Sequence, residues 1–155
     1  MDKRRLVKKL KEERRKLLQA AQALSPSQRE TPFLGGKWSA KDVLAHIAAW
    51  DREQLKGVQQ LLRGERPGFL DFDWDEFNAR AVAARHGASF EAIVKETEQT
   101  LDEFIATLES IPEEEFAKLR GLRWKRWEVT LEWVVSGTYT HDAEHRQQLK
   151  EFLRS

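Results

Sequence analysis

Apolar residues recur at intervals of three and four through five stretches of this chain, with polar residues between them. That period belongs to amphipathic helices. The first helix is predicted from about Asp2 to Leu24, with Leu6, Leu10, Leu17, Leu18, Ala21 and Leu24 on one face. Ser25-Pro26-Ser27 ends it, because proline disfavours helical geometry in the residue before it. Residues 26–38 read as a connection, punctuated by Thr31-Pro32 and Gly35-Gly36. A second helix is predicted from Ala40 to about Arg63, with Gly64 at its C-terminus and an inner stripe of Val43, His46, Ile47, Trp50, Gln54, Val58 and Leu61. Ser39 before it and Asp42 at its third position can form the two halves of a capping box. After a connection over residues 64–72, Asp71 or Asp73 caps a shorter helix through Phe77 and Asn78 to Arg85. Ser89 then caps a helix from Phe90 to about Glu109, in which Ile93, Val94, Thr97, Leu101, Phe104, Ile105 and Leu108 keep the period. Residues 111–129 are the least periodic, and Gly121 to Trp127 read as a loop or crossover rich in aromatic and basic groups. Thr130 caps the last helix, to about Phe152. Its inner stripe is Val134, Gly137 or Thr138, His141, His145, Leu149 and Phe152.

Four long helices with two long connections predict an all-α fold, a four-helix bundle with long crossover connections. At 155 residues the chain reads as one domain, residues 1–155, long enough to bury a core. The eight glycines and four prolines fall mostly between the periodic segments, which supports the helical reading.

Charge narrows the partners expected. The net charge is +1, so no overall field points to nucleic acid or to a membrane surface. The first helix carries Lys8, Lys9, Arg14, Arg15 and Lys16 beside Glu12 and Glu13, which reads as a solvated face with local charge pairs. The basic N-terminus is not followed by an apolar signal core, and no run approaches the length of a membrane span. The expectation is a cytoplasmic protein with a small-molecule substrate, no nucleic-acid partner and no membrane association.

Histidine carries the candidate chemistry. His141 and His145 lie four residues apart, which on a helix places both imidazoles on one face. Such a pair is a common chelating geometry, and it is also what a hydrogen-bonded core pair looks like. Asp142 stands where a zinc-protease motif would have glutamate, so that motif is absent. His46 lies in the inner stripe of the second helix. Three imidazoles on inward faces leave several polar nitrogens to satisfy, and one divalent cation would satisfy three at once. With no cysteine, any metal must be held by nitrogen and oxygen, and three neutral imidazoles suit zinc, nickel or iron in preference to magnesium or calcium. Three protein ligands leave a position open. The fourth histidine, His86, precedes Gly87 at a helix break and is expected to be exposed. Trp50, Trp74, Trp124, Trp127 and Tyr139 are candidates to line a substrate pocket, with Asn78 orienting a polar group. Asp142 and Glu144 fall on the outward side of the last helix by period.

The segment Trp38-Ser39-Ala40-Lys41-Asp42-Val43-Leu44-Ala45-His46-Ile47, with Trp50 after it, resembles the second-helix signature of the DinB/YfiT-like superfamily. Asp73-Trp74-Asp75-Glu76-Phe77-Asn78 and Thr140-His141-Asp142-Ala143-Glu144-His145 are similar to its ClbS/DfsB-like branch. The resemblance spans about residues 5 to 150. It implies a four-helix bundle binding a divalent metal through the positions of His46, His141 and His145. It also implies a possible homodimer, in keeping with the surplus of tryptophan. The superfamily includes transferases and isomerases that use low-molecular-weight thiols. The ClbS-like branch includes a self-resistance protein that opens a cyclopropane in a genotoxin. Two readings therefore stand: a metal-dependent hydrolase or thiol-dependent transferase acting on an electrophilic small molecule, and a metal-free protein that sequesters or detoxifies a toxic metabolite.

Overall fold

The computed structural model describes residues 1–155. Four long helices make the bundle: α1 (Lys3–Gln22), α3 (Ala40–Leu62), α5 (Phe90–Glu109) and α6 (Leu131–Arg154). Two shorter helices lie in the connections, α2 (Pro26–Arg29) and α4 (Trp74–Ala84). Side chains begin most of them. Ser39 Oγ accepts from the Asp42 amide at 3.2 Å, and Asp42 accepts from the Ser39 amide at 3.0 Å, so the expected capping box starts α3. Asp73, Ser89 and Thr130 cap α4, α5 and α6 by accepting from the amides of Glu76, Ala92 and Trp133, without the reciprocal bond. Ser25 and Gln28 form a second capping box on α2, a turn of helix that the period was too short to reveal.

The helix α1 packs against α6 and α5, while α3 packs against α5 and α6. Thus α1 and α3 face each other across a diagonal. Two apolar clusters fill the interior. One gathers Leu6, Leu10, Leu61, Phe104, Leu108 and Val135; the other gathers Leu17, Ala21, Val43, Ile47, Ile93 and Leu149. Each fully buried leucine or phenylalanine contributes about 1.5–3 kcal/mol through removal of its surface from water.

A buried polar layer separates the two clusters. Arg14 on α1 donates all five of its guanidinium hydrogens: to both oxygens of Asp51 on α3, to both oxygens of Asp142 on α6, and to the carbonyl of Thr97 on α5. Thr100 adds a hydrogen bond to Asp51 at 2.6 Å. One arginine thereby ties together all four long helices. This corrects two expectations: Arg14 is not part of the solvated face of α1, and Asp142 is not outward-facing but fully buried. The helical period gave Asp142 no apolar partner to face; its actual partner is a single charged residue among the surface-type residues of α1.

The least periodic stretch contains the only strands. β1 (Arg123–Trp124) pairs antiparallel with β2 (Trp127–Glu128) in a hairpin whose turn is Lys125-Arg126. No helix is long and apolar enough to cross a membrane.

Candidate functional site

His46 projects from the second turn of α3, and His141 and His145 from the middle of α6. Because α3 and α6 are packed neighbours, the three rings meet. His141 Nε2 lies 2.8 Å from His46 Nε2 and 2.8 Å from His145 Nε2. A ligand atom from each ring falls within 4.8 Å of the others. His86 is exposed and takes no part.

The neighbours of the outer ring nitrogens decide where the hydrogens sit. The Trp50 indole can only donate, and it does so to Asn78 Oδ1 at 2.6 Å. The Asn78 oxygen therefore faces inward, and His46 Nδ1, 3.0 Å from that same oxygen, must carry hydrogen. His46 Nε2 is left with a lone pair. His145 Nδ1 donates likewise to Gln148 Oε1 at 2.7 Å, leaving a lone pair on its Nε2. Both lone pairs point at His141 Nε2, which can donate at most one hydrogen. Any neutral, metal-free arrangement leaves at least one buried nitrogen facing another without a hydrogen between them.

Protonation is a poor remedy. Burial, followed by repulsion from His145, lowers His46 from 6.5 to about 3. Burial and the neighbouring imidazoles hold His141 well below its ordinary value, and burial lowers His145. A set of neutral, converging nitrogen donors that resists protons fits a divalent transition metal. Outer-nitrogen hydrogen bonds like those of Asn78 and Gln148 are what orients histidine ligands in metal proteins.

The Arg14 layer lies directly under this group. Asp142 follows His141, and Asp51 follows Trp50, so the same guanidinium holds both histidine-bearing helices in register. Burial alone would lower the pKa of Arg14, but Asp51 and Asp142 raise it further above its ordinary range. Burial raises Asp142, against the pull of Arg14. No sequence signal marked Arg14 apart from its place, with Leu10, Leu17 and Leu18, on the apolar side of α1.

His46 and His141 open onto a pocket of about 590 Å³. Trp50, Trp74, Asn78, Trp124 and Trp127 line it, joined by Trp133, Phe69, Gln54, Thr140 and Glu144. Tyr139 does not line it. Two residues before His141, it is turned about 200° around the helix; its hydroxyl lies 3.4 Å from Ser136 Oγ and its ring 6.0 Å from the Lys9 ammonium. Trp133 was missed, although Trp133, Gly137, Thr140 and Glu144 follow one helical stripe. Glu144 is exposed, as its period indicates, and borders the pocket from that stripe. The walls are built of ring against ring: Trp74 stacks on Trp124 with centroids 5.3 Å apart, and Trp50 meets Trp74 edge-on at 5.4 Å.

A helical bundle with a histidine triad at the floor of an aromatic pocket defines a recognisable class. The sequence matches the DinB superfamily over residues 9–149, and the chain belongs to that superfamily. The fold is shared with its ClbS/DfsB-like branch. The colibactin self-resistance protein ClbS, solved in complex with double-stranded DNA, has a TM-score of 0.78 at 15% identity, with 99% of this chain and 96% of that one covered. DfsB, described as a sibling lethal factor precursor, has a TM-score of 0.81 at 13% identity, covering 99% and 96%. A protein from Clostridium difficile 630 has a TM-score of 0.82 at 13% identity, again covering 99% and 96%. No curated protein sequence matches significantly.

The ClbS complex corrects the expectation that nucleic acid is excluded as a partner. ClbS shares this fold and binds DNA in that structure. A net charge of +1 sums over the whole surface, whereas contacts to a duplex are made by one face. Neutral overall charge therefore excludes nothing here.

Proposed function

We propose that His46, His141 and His145 hold a divalent transition metal with an open coordination position, and that the protein acts on an electrophilic small molecule bound in the tryptophan-lined pocket. The observation that carries this reading is that the Nε2 atoms of His46 and His145 each lie 2.8 Å from His141 Nε2, with the lone pairs of those two set by Asn78 and Gln148. A bound metal supplies Lewis acidity there, lowering the pKa of a water or thiol. Asn78 and Gln148 hold the imidazoles in the ligating tautomer. Thr138 donates to Gln54 Oε1 at 2.8 Å, which leaves the Gln54 amide hydrogens free to donate to a substrate oxygen in the pocket. Hydrolysis and thiol transfer both fit this arrangement.

The test is turnover of two model electrophiles, p-nitrophenyl acetate and, with added thiol, 1-chloro-2,4-dinitrobenzene. Activity on at least one is expected to disappear with chelator, return with metal, and be absent in H46A and H145A. A second reading is supported by the size of the pocket: a metal-free protein that sequesters a toxic metabolite. It predicts tight binding without turnover, unchanged by chelator.

A further inference from the structure

The pocket has electrical polarity as well as shape. Apart from the neutral histidines, the one ionisable side chain lining it is Glu144, which is itself exposed, one helical turn from His141. No lysine or arginine lines the interior in a chain that has 27 of them. The rim is the opposite. The hairpin turn places Lys125 with its ammonium 4.4 Å over the ring of Trp124, and Arg126 with its guanidinium 5.0 Å over the ring of Trp127. Both tryptophans line the pocket. The nearby arginines are already neutralised: Arg123 pairs with Glu128 at 2.8 Å, and Arg66 with Asp71 at 3.1 Å. Lys125 and Arg126 have ring faces but no carboxylate partner.

The turn itself is strained. Lys125 has φ of 54°, the one residue other than glycine in the left-handed region, where a side chain raises the conformational energy. A tight two-residue hairpin prefers asparagine or glycine there. Lysine instead puts a cation over the outer pocket wall. Trp74 and Trp127 remain 39% and 45% exposed, so flat apolar surface continues out to the rim.

We propose that the pocket takes a planar aromatic acid, its flat body against the tryptophans and its anionic group at the rim on Lys125 and Arg126. This rests on the reading of the pocket as the substrate site and deepens it by naming the substrate class. The two hairpin cations set the direction: the anionic end is drawn to Lys125 and Arg126, the cations over the lining tryptophans. The ligand's acid is a carboxylate, sulfonate or phosphate, for which two adjacent cations are suited.

The full-length protein can be titrated with 8-anilinonaphthalene-1-sulfonate and with its uncharged relative N-phenyl-1-naphthylamine, following quenching of tryptophan emission. Both dyes are expected to bind one per chain, and W133A is expected to weaken both. The double variant K125E/R126E, at two exposed positions, should weaken the sulfonate by about tenfold or more, the loss of one charge-assisted contact, and leave the neutral dye within about twofold. Equal response of the two dyes to charge reversal would overturn the proposal. So would a sulfonate that loses affinity in K125E/R126E but not in W133A, which would mean a surface ion pair only. Displacement of the sulfonate but not the neutral dye by a twelve-base-pair duplex would assign the cations to nucleic-acid phosphate and overturn it too. Metal content measured on the same samples separates this proposal from the metal reading, because the rim variant leaves the histidines untouched.

Discussion

Asn78 Oδ1 receives two hydrogens, one from Trp50 and one from His46, and the second of these depends on the first. Asn78→Leu removes the acceptor and frees His46 to rotate and change tautomer. Metal affinity is expected to fall about 10- to 100-fold, read by competition with a chromophoric chelator, with helical content unchanged. Trp50→Phe should produce a smaller loss in the same direction, since Asn78 stays but loses the donor that orients it. Arg14 is the more consequential residue for folding. Arg14→Ala leaves two buried carboxylates facing each other and is expected to destabilise by about 3–5 kcal/mol in urea unfolding; a loss under about 1 kcal/mol would contradict the account. The three histidines were legible in sequence because each falls on an apolar stripe. Arg14 and Asp142 were not, because periodicity scores a charged residue as solvent-facing and cannot see that its partner lies on another helix. Tyr139 lies outside the pocket because the helix turns it about 200° from His141, a rotation that its aromatic character does not reveal.

At the level of elements, the caps were the most readable features. Ser39 with Asp42, Asp73, Ser89 and Thr130 each start a helix where the sequence placed one, because a cap is a local hydrogen bond between residues three apart. Ser39→Ala is expected to cost about 1 kcal/mol of stability. It should also loosen the proposed metal site, since His46 lies only about two turns inside the α3 terminus. A stability loss with no change in metal affinity would show that α3 is held by its packing alone. The stretch from 111 to 129 was unreadable for the opposite reason. Its strands are two residues each, too short for an alternating pattern, and the hairpin is held by Trp124 against Trp74 and Trp133, contacts distant in sequence.

For the whole molecule, the central consequence of burying three neutral imidazoles is acid sensitivity. Their native pKa values are depressed, so above about pH 6.5 both native and unfolded chains hold them neutral and stability is unaffected. As pH falls below that value the unfolded chain takes up protons that the native one refuses. His46 then removes about 1.4 kcal/mol of stability per pH unit until it protonates at about 3, and His141 and His145, also lowered by burial, add to the loss. Asp142, raised by burial, works in the opposite direction and offsets part of this loss. Metal-free protein is therefore expected to lose several kcal/mol between pH 7 and pH 5 in urea titrations, while metal-loaded protein holds its stability further down. A flat profile for the metal-free protein would contradict the histidine environments described. The bundle itself was legible from periodicity, since four long amphipathic stripes have few ways to bury one another. The polar layer that divides the core lay beyond that reading, because it depends on residues from all four long helices.

The claim that His46, His141 and His145 form a metal site is tested most directly by elemental analysis of protein purified without a histidine tag, before and after exposure to zinc, nickel or iron. About one equivalent of transition metal per chain is expected, lost in H46A and in H145A and retained in K125E/R126E. Less than about a tenth of an equivalent, with none taken up on addition, would contradict it.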